Sequence, residues 1–215
     1  MNLRLIFILS VFLVCADFLP AQGGQPDLTP RKITLATYPA LSPDGSQVAF
    51  AWAGDIWIAR TRGGRARRLT GHAGYENGPV FSPDGKEIGF TRLEKGKEQV
   101  FVVPVRGGIP RQVTFHSEGS RILGFYPEGK SILISAIRDF GTRSATRFYR
   151  VRIDERKAEK LLFDAEGVRA ALSPNGKKLL FTREGYDLYR KGYRGTKASQ
   201  IWLAENLETP EPKFT

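Results

Sequence analysis

The sequence predicts an all-β fold, a β-propeller of four-stranded antiparallel blades, on three observations. A ten-residue phrase recurs, reading LSPDGSQVAF from Leu41 to Phe50 and FSPDGKEIGF from Phe81 to Phe90. Looser copies follow as FYPEGKSILI from Phe125 and LSPNGKKLLF from Leu172, so Pro43, Pro83, Pro127 and Pro174 step by 40, 44 and 47 residues. A period of this size marks a propeller, solenoid or array. Between the markers lie short alternating apolar runs and no long helical pattern. The one short candidate, Asp154 to Lys160, reads better as a hairpin tip.

Residues 1–22 stand apart from the repeats. Arg4 precedes an apolar run from Leu5 to Ala16, and small residues suit cleavage near Ala16 or Ala21. This pattern predicts a secretory signal peptide, too short for a comfortable membrane span, and an exported, periplasmic or extracellular product with no span after cleavage. An uncleaved anchor is the competing reading. The single cysteine, Cys15, falls in this segment behind Val14, a larger residue than lipoprotein processing accepts. Exported without it, the chain must rely on its core and sheet ladders, not on disulfides. Residues 23–215 carry the repeats, and roughly 190 residues suffice for a sizeable core.

The units follow in order. RKIT at Arg31 to Thr34 matches RRLT at Arg67 to Thr70 in phase, so about 31–36 reads as an orphan fourth strand. The first blade spans about 38–70, with QVAFAW, then DIWIAR, an Arg-Gly-Gly turn and RRLT. The second, about 78–114, has EIGFT, QVFVVPV, the same turn and RQVT. The third, about 122–163, has SILISAI, TRFYRVRI and KAEKLLF; the fourth, about 168–215, has KLLFTRE, SQIWLAENLE and PKFT. Four strands joined by hairpins in this length make one meander, too thin to bury both faces, so neighbouring sheets must stack around an axis.

Turn chemistry supports each unit. In Ser-Pro-Asp-Gly, proline presets φ, aspartate bonds its neighbouring backbone and glycine takes the positive-φ position. Trp57, Phe101, Tyr149 and Trp202 share one phase in the third strand, which predicts packing between blades in place of a ligand cage. Length differences fall in the link between second and third strands, four residues in the first unit (Ala51 to Gly54), about a dozen in the third and nearly twenty in the fourth. Insertions confined to one hairpin gather on one face, often the binding face.

This layout resembles the propeller repeat of TolB and of the tricorn-type proteases. The phrases SPDGSQVAFAWAGDIWIARTRGG, RRLTGHAGYENGPVFSPDGK and YRGTKASQIWLAENLE are particularly similar to the N-terminal propeller of tricorn-like secreted peptidases. The resemblance implies an arc of a six-bladed propeller that gates or docks peptides for a serine-peptidase domain, neither the remaining blades nor that domain being in this sequence. The alternative it implies is a TolB-like periplasmic interaction scaffold. Four units, an orphan first strand and a stop at a unit boundary predict a truncated product, a split gene or an assembly fragment. A compact four-bladed ring is the competing architecture.

Catalytic signatures are few. There is no Gly-x-Ser-x-Gly elbow and no His-x-x-x-His zinc pattern, so no catalytic, metal or cofactor residue is assigned. Ser42, Ser82 and Ser173 precede turn prolines, and Asp44 and Asp84 read as turn caps in separate blades. The net charge of +11 survives removal of Arg4 and Asp17 together. Without a basic stripe interleaved with aromatics it predicts no nucleic-acid partner. What remains is a surface. Residues 138–147 and 183–197 carry eight Lys or Arg against three Asp or Glu. His72, Tyr75, Glu76, His116, Arg143, Arg147, Arg190 and Arg194 form the expected rim, suited to peptide carboxylates or an acidic protein partner.

Overall fold

The computed structural model describes residues 32–138, 146–183, 199–207, 209 and 211–215. The expected signal peptide and the two long insertions, 139–145 and 184–198, lie outside the described residues. Among the described residues there is no helix, and sixteen strands form four separate four-stranded antiparallel sheets.

Each sheet is a meander in which chain order is spatial order. The first comprises β1 (Thr37–Leu41), β2 (Gln47–Trp52), β3 (Asp55–Arg60) and β4 (Arg67–Arg68). The second comprises β5 (Glu76–Phe81), β6 (Glu87–Glu94), β7 (Lys97–Pro104) and β8 (Arg111–Gln112). In the third are β9 (Arg121–Phe125), β10 (Ser131–Ile137), β11 (Thr146–Arg152) and β12 (Lys160–Leu161). In the fourth are β13 (Arg169–Leu172), β14 (Lys178–Arg183), β15 (Gln200–Glu205) and β16 (Lys213–Phe214). Every fourth strand has only two residues, so each blade ends in a short outer edge that offers little to pair with.

The repeated phrase closes the first hairpin of each blade. Asp44 Oδ1 accepts from Ser42 Oγ at 2.6 Å and from the Ser46 amide at 3.1 Å, while Ser42 Oγ accepts from the Gln47 amide at 2.9 Å. Ser82 and Asp84 repeat these bonds, and Ser173 repeats them with Asn175 in place of aspartate. Gly45, Gly85, Gly129 and Gly176 all sit at φ between 68 and 70°. Successive turns also touch: a Cβ added at Gly176 would lie 2.9 Å from Pro127 Cδ of the preceding blade.

The core lies between blades, not within them. One buried cluster joins Ala49, Ile56, Ile58 and Leu69 of the first blade to Ile88, Phe90, Phe101 and Val103 of the second. The next joins Val100, Val102 and Val113 to Ile122, Ile132, Ile134, Tyr149 and Val151. The last joins Leu133, Phe148 and Leu162 to Leu179, Phe181 and Ala204, with Trp202 packed against it. Phe101, Tyr149 and Trp202 thus occupy the interfaces their phase predicts, and each carries an arginine on its ring: Arg92 at 4.1 Å, Arg138 at 4.4 Å and Arg183 at 4.8 Å. In the first blade Trp52 takes the arginine's place, 5.2 Å from Trp57. Among the described residues no buried cluster links the first blade to the fourth, so the four sheets form an open arc and not a closed four-bladed ring.

Residues 32–36, the described part of the expected outer strand, carry no strand, and no described strand pairs with them; an outer strand of this kind exists only through a ladder to its own blade. The segment is instead tethered by Trp52 Nε1, which donates to the Thr34 carbonyl at 2.9 Å.

Two expectations test this account. Phe148→Ala, which empties a fully buried site between the third and fourth blades, should cost about 3–5 kcal/mol in urea unfolding. Hydrogen bonds from Ser42, then from Ser46, hold the Asp44 carboxyl down from its ordinary 3.8 to about 2. Because that value is depressed, the contribution is complete above 3.8 and lost as pH falls through about 2. Carboxyl NMR titration should find Asp44 titrating there, and Asp44→Asn should remove this part of the acid sensitivity while keeping the turn, as Asn175 does.

Candidate functional site

The connectivity puts two kinds of loop at the same end of every blade. A connector arrives from the previous blade's outer strand, and the hairpin between second and third strands turns back beside it. Backbone bonds stitch the two together: Glu76 N donates to the Gly54 carbonyl at 2.9 Å and Leu93 N to the Tyr75 carbonyl at 2.8 Å. Connector 71–75 is therefore clamped between the hairpins of the first two blades. Ser120 N donates to the Glu98 carbonyl at 2.6 Å, repeating the contact one blade on. In the third and fourth blades the second strand ends at Ile137 and Arg183 and the third begins at Thr146 and Gln200, with 139–145 and 184–198 outside the described residues.

The rim residues expected from sequence separate into two groups. His72 and Tyr75 are exposed and His116 is half-buried. Both imidazoles act first as local caps. His72 Nδ1 accepts from the Gly74 amide at 2.9 Å and His116 Nδ1 from the Glu118 amide at 3.1 Å, which leaves Nε2 of each as the nitrogen able to meet a partner. His72 Nε2 stands 4.0 Å from Glu94.

Glu76 and Arg147 belong to the interior instead. Glu76 is completely buried and accepts from Arg92 Nε and Nη2, each at 2.8 Å, and from the Thr70 hydroxyl. Thr70 Oγ1 in turn accepts from the Ile56 amide at 2.9 Å. Arg147 is 6% exposed and reaches Asp164 at 2.7 Å. Their removal from the surface has a register cause: Glu76 pairs with Arg92 across the ladder and points into the blade interface, a direction the loop-like sequence around it does not reveal. Arg143, Arg190 and Arg194 lie outside the described residues.

Arg92 and Thr70 were not singled out from sequence. Their signal is positional. Thr70 and Thr114 each lie two residues past a fourth strand, and each hydroxyl accepts from a third-strand amide of its own blade, Ile56 or Val100, at 2.9 Å. Thr114 then donates to Gln99 Oε1 at 2.8 Å, the neutral counterpart of the Thr70–Glu76 bond.

Beside the foot of insertion 139–145 the rim carries a hollow of about 360 Å³, bordered by Glu98, Ser120, Arg121, Ile137 and Thr146. Arg121 grips Glu98 there with bonds of 2.7 to 3.1 Å, and this hydrogen bonding raises the guanidinium pKa. Among the described residues no group of His, Cys, Asp and Glu is assembled to hold a metal ion, and no helix is long and apolar enough to cross a membrane.

Four stacked meanders with a repeated Ser-Pro-Asp-Gly hairpin are matched, over residues 33–213, by the tricorn protease N-terminal beta propeller domain. The chain belongs to this family. A tricorn protease homolog of Saccharolobus solfataricus is 29% identical over 176 residues, which cover 79% of this chain but 16% of that protein. A chain of Sulfurisphaera tokodaii, provisionally named a tricorn-like protease N-terminal subunit, is 29% identical over 193 residues, 82% of this propeller and 96% of that chain. The solved tricorn protease shares the fold at TM-score 0.64 and 22% identity, over 81% of this propeller and 18% of that chain. TolB from Acinetobacter baumannii shares it at TM-score 0.62 and 20% identity, over 83% and 43%. At such identities these likenesses concern the fold.

The buried pair gives a measurable consequence. Glu76→Ala strands the Arg92 guanidinium in the interface and should cost about 3–5 kcal/mol in chemical unfolding. Tyr75→Ser, at a half-exposed side chain, should change stability by no more than about 0.5 kcal/mol.

Proposed function

We propose that this propeller is a non-catalytic module of a tricorn-like serine peptidase, exported on the strength of residues 1–22, that docks or gates peptides at its connector rim. The observation that carries the reading is the clamp between connectors and hairpins. It holds His72, Tyr75 and His116 at the end of the blades where the strands flanking both basic insertions stop and resume. Loops on a stacked scaffold supply recognition without perturbing the core that positions them. Membership of the family supports a role within a peptidase, and the Sulfurisphaera relative supports a propeller that serves as a subunit of its own. The scaffold role suggested by TolB rests on fold likeness alone, and no feature of the rim favours it.

Isothermal titration of the full chain with a pool of peptides from a digested unfolded protein tests this. Reversing charge together at Arg143, Arg190 and Arg194 should weaken binding at least about tenfold, or about 1.4 kcal/mol. Unchanged affinity would remove the rim as the docking surface.

A further inference from the structure

The third blade departs from its neighbours at the outer hairpin between β11 and β12. The first two blades turn there through Arg-Gly-Gly, with Gly63 and Gly64 at φ 93 and 114° and Gly107 and Gly108 at φ 99 and 137°. Residues 154–159 read Asp-Glu-Arg-Lys-Ala-Glu, and none of them adopts a positive φ. The chain therefore makes a wider loop, as L side chains avoid that region. Between this loop and β8 of the second blade opens a cavity of about 800 Å³, within the range of ligand sites. Its floor is apolar: Val113, Tyr149, Val151 and Ile153, all buried.

Charge on its walls is unequally matched. Asp154 and Glu155 are held by Arg152 at 2.7 and 3.2 Å, Glu155 also by Lys157 at 2.9 Å, and Glu159 by Arg138. Every carboxylate in the lining is thus paired. Two guanidiniums are not: Arg111 donates to the Ile153 carbonyl at 2.9 Å, and Arg156 lies 5.5 Å from the exposed ring of Phe115, with no described carboxylate at ion-pair distance from either. Arg138, the partner of Glu159, has a side chain only 4% exposed and lies over Tyr149; it donates to Ser120 Oγ at 2.9 Å, while its buried Nε has no acceptor among the described residues. A buried N–H without an acceptor is costly, and an occupant that supplies one recovers that cost. The cavity also runs beside β8, an outer strand whose far edge is unpaired in its sheet.

We propose that this cavity takes an extended acidic peptide segment. An aliphatic or aromatic side chain covers the floor, flanking Asp or Glu carboxylates meet Arg111 and Arg156, and a backbone carbonyl serves Arg138 Nε. The proposal rests on the peptide-docking reading above and gives it a second location, adjoining the rim through His116, which lines the cavity.

The test is fluorescence anisotropy on the full chain with a labelled peptide of alternating Glu and Leu, blocked at both ends. Phe115→Ser and Arg156→Glu change exposed residues and should each weaken binding tenfold or more with Tm unchanged, and the matching Lys and Leu peptide should not bind. Equal binding by both variants overturns the cavity, as does equal binding of the Lys peptide. Complete displacement by millimolar inorganic phosphate would mark a simple anion site and overturn the peptide. If the Arg143, Arg190 and Arg194 reversal alone abolishes binding, the rim stands and the cavity falls. If only the cavity variants do, the reverse holds. No binding of any peptide sinks both.

Discussion

Burial of one sheet's face against the next is the interaction on which the molecule depends. A single four-stranded meander with a two-residue outer strand has no interior of its own. All three buried clusters straddle a pair of blades, and none is confined to one. Stability is therefore a sum of interfaces between neighbours, and losing one loosens the blades on either side. The hairpin phrase contributes to this stacking as well as to its own turn, because the glycine of one blade lies against the proline of the blade before.

Three arginines that enter these interfaces are seated on rings. Arg92, Arg138 and Arg183 lie on third-strand aromatics, where the flat guanidinium covers a ring and keeps its edge free to donate. Where that edge meets Glu76 and Thr70, connector, inner strand and outer strand become one hydrogen-bonded unit. Where it belongs to Arg138, the partner Glu159 comes from the widened outer hairpin, and the space beside it stays open. An arginine over a third-strand ring thus accompanies a buried ion pair between the first two blades and a cavity between the next two.

Much of the fold was legible because its signals are local. Ser-Pro-Asp-Gly closes through bonds spanning two to five residues, so it reads the same wherever it falls. The aromatic phase of Phe101, Tyr149 and Trp202 was legible because strand period and repeat period together set which face they occupy. Rim composition was harder to read. Glu76 looks like a loop carboxylate, and its burial follows from an arginine sixteen residues on that the ladder brings opposite. Residues 32–36 carry no strand for a related reason, since a strand's existence depends on its partner and not on its letters.

The sequence by itself determined the number of described blades and their order, because hairpin chemistry and periodicity act over short distances. Only tertiary structure decided that the arc stays open, that Glu76 and Arg147 are interior, and that a cavity forms between the second and third blades. Those outcomes depend on which side chains from blades about 40 residues apart meet face to face, and no local pattern encodes that meeting.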